Sequence, residues 1–128
     1  MNAMSQPETL MDRRVYSAGE VIFQEGAQAN SCAFLVESGS VEILKGTPNG
    51  HKKLGTIGPG GIFGEMALID AAPRMAMARA GETTTVRVLT QALFDQKLRR
   101  LDPLLQVVFQ VLAKDIRQMT EEVMELAR

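Results

Sequence analysis

The chain has one cysteine, one histidine, one tyrosine and no tryptophan, and its acidic and basic residues nearly cancel. Each shortage excludes something. A lone Cys32 rules out an intrachain disulfide framework and fits a cytoplasmic setting. A lone His51 is too little for a metal-dependent jelly-roll enzyme, whose site converges several imidazole or carboxylate ligands on one metal. His51 also follows an Asn-Gly turn signal, a solvated position that leaves no nucleophile with an adjacent histidine base. A net charge of −1 gives no footprint for direct nucleic-acid binding. No apolar run is long enough to cross a bilayer, and Met1–Pro7 lacks the charged and apolar regions of a signal peptide. The expectation is a cytoplasmic, non-catalytic protein without a metal, a cofactor or a membrane partner.

What is present agrees with one domain over 1–128. A chain of 128 residues with 45% hydrophobic content can bury a core but has no room for a second full domain. Residues 1–13 read as a polar segment or short helix. From 14 to 89 short β-rich runs alternate with glycine punctuation. Val21–Phe23, Ala33–Val36, Val41–Leu44 and Thr84–Leu89 are the clearest strands, and Gly19, Gly26 and Gly39 mark turns. Gly46–Gly50 reads as a hairpin loop. The fold class expected is α+β, mainly β: an antiparallel, jelly-roll-like β-roll with a short cassette helix and two C-terminal helices.

Those helices occupy 90–128. Thr90 is placed to cap a helix running to Arg100, with Leu93, Phe94 and Leu98 on one face. Asp102-Pro103 supplies the cap and first residue of a longer one. There Leu105, Val108, Leu112, Ile116, Met119, Val123 and Leu126 recur at spacings of three and four. Leu104, Val107 and Val111 add a second apolar strip on the first half, a breadth suggesting that another surface covers the helix. From Leu112 onward the spacing is that of a coiled-coil seam, so periodicity leaves two readings open. One is a helix lying on its own barrel; the other is a homodimer contact.

The most informative stretch is 63–80, FGEMALIDAAPRMAMARA. Gly64 permits a tight backbone approach, Glu65 follows with a carboxylate, and Arg74 returns after Pro73. A carboxylate can accept a hydrogen bond from a ribose hydroxyl, and a guanidinium presents a fork of donors to a phosphate. Backbone N–H groups at the start of the short helical run face an anion without help from side chains. Met75 and Met77 fall at strand spacing, on one face, as packing residues, and Cys32 reads as a small buried hydrophobe. Arg74, lining an open pocket, is not expected to belong to the core.

This stretch closely resembles the phosphate-binding cassette of cyclic-nucleotide-binding domains. Tyr16–Gly26 resembles the family's opening strand pair, Val36–Ile43 its next hairpin, and Pro59–Glu65 its approach to the cassette. The four motifs come in order across roughly residues 14–127. The resemblance implies a site made of Gly64, Glu65, Met66, Ala67, Arg74, Met75 and Ala76. In it Glu65 and the Gly64 backbone hold the ribose 2′-hydroxyl, while Arg74 and the N–H groups of Ala67 and Met75 hold the cyclic phosphate. The base is capped by the last helix, from the same chain or a partner, where Lys114, Arg117 and Thr120 are the polar candidates. The sequence departs from the family at Met77, where many relatives have Ser or Thr, which bears on pocket width. It departs again at Met75, where some cGMP-preferring relatives have a hydroxyl, so the ligand implied is cAMP before cGMP. A catabolite-activator-type regulator would need a helix-turn-helix after the long helix, and the sequence given stops at Arg128. The expectation is a sensor module with an effector unknown. Its alternatives are an excised sensor of a regulator, channel or kinase system, or a ligand-free interaction module on the same fold.

Overall fold

The computed structural model describes residues 11–30, 32–68 and 72–127. Residues 1–10, most of the expected N-terminal segment, and 69–71 of the cassette lie outside them. Eight strands form in chain order: β1 (Asp12–Tyr16), β2 (Val21–Phe23), β3 (Cys32–Ser38), β4 (Val41–Thr47), β5 (Gly50–Ile57), β6 (Ile62–Phe63), β7 (Met77–Ala80) and β8 (Thr84–Thr90). A short 3-10 helix, Glu65–Leu68, follows β6, and two helices, α1 (Gln91–Leu98) and α2 (Pro103–Ala127), close the chain.

The strands make two antiparallel four-stranded sheets, ordered β1-β8-β3-β6 and β2-β7-β4-β5. Period-two alternation decides what lies between them. In the first sheet Phe34 pairs with Val88 and Val36 with Val86, so four apolar side chains share one face. They pack with Phe63 and with Val41 and Ala78 of the other sheet as one buried cluster. The expected mainly-β roll with two C-terminal helices is therefore the fold.

Several local features differ from the sequence reading, each for a physical reason. β1 begins at Asp12, inside the stretch read as a polar segment, because its charges are useful at a sheet edge. Glu37 receives Arg87 Nε at 2.7 Å and Arg13 Nε at 3.5 Å, tying β1, β8 and β3 together. The Gly46–Gly50 loop shrinks to Pro48-Asn49, since Thr47 and Gly50 already pair across the hairpin. Gly39 is obligatory: its φ is +89° and a Cβ there would lie 2.5 Å from the Thr83 carbonyl oxygen.

Thr90 caps α1 as expected, its Oγ1 accepting the Leu93 N–H at 3.2 Å, though the helix ends at Leu98 rather than Arg100. Asp102 Oδ1 accepts the Leu104 N–H at 2.8 Å, capping α2. Its orientation is the surprise. The residues turned inward are Gln106, Phe109, Ala113, Arg117 and Thr120, also spaced by three and four. Phe109 meets Phe94 of α1 with ring centroids 5.8 Å apart, which sets the helix's rotation. The whole stripe from Leu105 to Leu126 is left exposed, Val108 least at 45% and Leu126 most at 86%. The helix does not bury that stripe on its own barrel, although Ile116 reaches a cleft in the barrel.

Candidate functional site

The cassette starts where β6 ends. Gly64 has φ +72°, and a Cβ there would stand 2.8 Å from Arg74 Nη1 and 3.3 Å from the Phe23 ring. Only glycine lets the chain turn here while the arginine passes beneath it. The 3-10 helix then carries Glu65 at its first position, exposed, with Ala67 and Leu68 buried behind it.

Arg74 is only 8% exposed. Its Nη1 donates to the Gly64 carbonyl at 2.9 Å, and its Nη2 donates to the carbonyls of Ala29 at 2.8 Å and Cys32 at 2.9 Å. Its guanidinium carbon lies 4.2 Å from the Phe23 ring centroid, a cation–π contact. The expectation that Arg74 lies outside the core is thus corrected. Three carbonyls of converging loops accept from it, so it holds the site together before any ligand arrives.

The electrostatics are unusual for so buried a charge. Among the described residues no carboxylate forms a salt bridge with Arg74, and its Nε–H is buried without a hydrogen-bond partner. Burial pushes its pKa down, while Cys32 and then Glu65 act in the opposite sense. A buried cation with an unused donor and no salt bridge among the described residues favours an anion at that spot.

The space for one is adjacent. A cleft of about 250 Å³ is lined by all seven residues named from the sequence: Gly64, Glu65, Met66, Ala67, Arg74, Met75 and Ala76. Its apolar side comes from Phe23, Ile43, Ile57 and Ile62, and α2 contributes Ile116, Arg117 and Thr120. Lys114, the third polar candidate on that helix, is exposed and does not line the cleft. It sits roughly a helical turn's third away from the inward face, which the sequence could not locate.

Two methionines separate. β7 begins at Met77, so Met75 is outside the strand and the two do not share a strand face. Met77 is 6% exposed, pairs with Leu44 and does not line the cleft, so it does not set the cleft's width. Met75 does line it, with Sδ 3.0 Å from Arg117 Nη1 of α2. Cys32 is half-buried rather than fully buried, its Sγ 4.0 Å from Arg74 Nη2. His51 is exposed. Phe23 and the carbonyls of Ala29 and Cys32 were not legible in advance. A β-strand phenylalanine carries no mark of a cation above it, and carbonyls carry no residue signal at all.

The cyclic nucleotide-binding domain family model matches residues 13–100. The chain belongs to that family. Among curated relatives, the cyclic AMP receptor protein of Thermus thermophilus is 34% identical over 83% of this chain and 49% of its own. A cAMP-dependent protein kinase regulatory subunit of Mycosarcoma maydis is 33% identical over 71% of this chain and 17% of its own. The chain spans about half or less of the length of these relatives. Among solved structures, an EAL enzyme in its cAMP-bound form superposes with TM-score 0.75 at 30% identity, over 88% of this domain and 30% of that chain. The same enzyme is also solved in a cGMP-bound form. The Thermus thermophilus catabolite activator protein gives TM-score 0.74 at 31% identity, over 97% of this domain and 57% of that chain. Among the described residues no helix is long and apolar enough to cross a membrane.

Proposed function

We propose that this domain is a non-catalytic sensor that binds cAMP in preference to cGMP, with α2 as both lid and dimer contact. The observation that carries it is Arg74: a buried cation held by three carbonyls, with no salt bridge among the described residues and with an unused Nε–H at a cleft. A cyclic phosphate supplies the missing negative charge. Glu65, at the mouth of the same cleft, accepts the ribose 2′-hydroxyl. Arg74 neutralises the phosphate and so permits a carboxylate nearby. Gly64, Met66, Ala67, Met75 and Ala76 contribute backbone and wall.

The preference for cAMP rests on Met75, whose side chain lies against Arg117 and offers no hydroxyl to a guanine. The lid role rests on Ile116, Arg117 and Thr120, which α2 brings to the cleft. The dimer role rests on the exposed stripe. Leu112, Ile116, Met119, Val123 and Leu126, exposed and at coiled-coil spacing, favour a second copy of the same helix. Within a longer protein the module would report nucleotide to an attached or associated effector, and acting as a regulator accords with the relatives.

Calorimetry with cAMP, cGMP and AMP tests this reading. Saturable one-site binding, about tenfold or more tighter for cAMP than for cGMP, is expected, with no binding of AMP. Absence of any cyclic-nucleotide binding overturns it.

A further inference from the structure

The backbone on either side of Arg74 is held at three points. Arg74 N–H donates to the Ala27 carbonyl at 2.9 Å, and the Arg74 carbonyl accepts from Gly26 N–H at 2.8 Å. The next carbonyl, that of Met75, accepts from Lys45 Nζ at 3.1 Å. In a trans peptide the C=O and N–H point opposite ways. With the Arg74 carbonyl aimed at Gly26, the Met75 N–H is aimed away from that turn. The Lys45 contact then fixes the following peptide, whose own N–H is that of Ala76, so the Met75 backbone is held on both sides.

Lys45 is an unlikely residue to spend on one carbonyl. It sits in β4 and is 2% exposed, the most deeply buried charged residue described. Its ammonium is matched by Glu25 Oε2 at 2.7 Å, and Glu25 Oε1 accepts the Gly46 N–H at 2.8 Å. A buried ammonium needs such matching to persist, and the pair sets where the N–H that meets Met75 points. Lys45 does not line the nucleotide cleft. It lines a second one, of about 460 Å³, that shares Pro73, Arg74, Met75 and Arg117 with the first. It therefore stands behind the wall that the phosphate would meet.

We propose that Lys45, held by Glu25, is a positioning residue for the phosphate: by holding the peptide after Met75 while Gly26 holds the one before it, Lys45 fixes the Met75 backbone so that the Met75 N–H meets one exocyclic oxygen of the cyclic phosphate. This rests on the cyclic-nucleotide reading. Lys45 acts through Met75 and does not touch the ligand, and its effect is confined to the one oxygen that this N–H serves. That separates it from a charge acting at a distance, which would favour both exocyclic oxygens.

The test compares Lys45→Met and Lys45→Arg with the parent protein, by titration with cAMP and its two diastereomeric phosphorothioates. These differ only in which exocyclic oxygen is replaced by sulfur. Lys45→Met should weaken cAMP about tenfold, the scale of one impaired hydrogen bond to a charged group. The affinity ratio between the diastereomers should move toward unity. Lys45→Arg keeps the charge but displaces the donor, and should shift the ratio in the same direction; it also carries the test if Lys45→Met does not fold. Folded variants with the parent's ratio overturn the role of Lys45, whether both diastereomers are weakened equally or not at all. A parent protein that binds no cAMP overturns the nucleotide reading itself and this inference with it.

Discussion

The barrel and the long helix use their apolar residues in opposite ways. Between the sheets Val36, Val41 and Val86 are fully covered, and even the charges Arg74 and Lys45 are buried among partners. On α2, Leu104, Leu105, Val107, Val108, Val111 and Leu112 are each about half exposed or more, and among its described side chains only Ala113 is buried. A sheet pair covers its own core because each face has another face opposite it. A single helix on a barrel can cover one stripe, and on this helix that stripe is Gln106, Phe109, Ala113, Arg117 and Thr120. The lesson is a division of labour: the barrel covers its own apolar residues and holds Arg74 in place, and the helix leaves most of its large apolar residues exposed.

The sharpest way to break this comparison is to remove the grip. Arg74→Ala should lower cAMP affinity a hundredfold or more, roughly the cost of an anion losing its charge-assisted partner. Because three carbonyls lose their donor, it should also cost about 2–4 kcal/mol of stability. Titration and denaturation measure the two losses separately, and an Arg74→Ala protein binding cAMP as the parent does would sink the assignment. On the other side, Val108→Glu with Met119→Glu places charges on the exposed stripe away from the cleft. The mass in sedimentation should fall from dimer to monomer while the barrel's melting changes by less than about 1 kcal/mol.

Smaller effects sharpen the same contrast. Glu65→Gln should weaken cAMP by about 1–3 kcal/mol, and the variant should no longer distinguish cAMP from its 2′-deoxy analogue. If the parent already binds both equally, Glu65 has another job. Gly64→Ala forces a side chain into a left-handed turn against Arg74 and should cost about 1–3 kcal/mol of stability. The least effect belongs to the barrel's edge. Glu37 has its pKa lowered, first by its hydrogen bond from Arg87. Its stabilisation is therefore present above the ordinary carboxylate range and lost as pH falls through the lowered folded value. The stability difference between parent and Glu37→Gln should close across that acid window. A difference that persisted below it would mean that packing, not charge, sets the effect.

Much of the site was legible because its chemistry is local in sequence. Gly64, Glu65 and Arg74 lie within a dozen residues, and a turn, an acid and a base in that order already limit the ligand. The caps of α1 and α2 were legible for the same reason, each being a bond between near neighbours. The strands that escaped notice are those without local signal. β1 and β5 are polar where they face water, β6 has two residues, and β7 has four whose burial does not alternate. The rotation of α2 escaped too, since its two candidate faces have the same spacing.

The sequence by itself determined the roll, the cassette and the two helices with their caps, since turns, alternation and capping act over a few residues. Only the tertiary structure decided that Arg74 is buried beneath three carbonyls, that Lys45 reaches Met75 from another strand, and that α2 turns Arg117 and Thr120, not Lys114, toward the cleft. Those outcomes depend on contacts between residues ten to forty-five positions apart, such as Arg74 with Ala29 and Cys32. Their energies come from desolvation and geometry at the point of meeting, which no local pattern records.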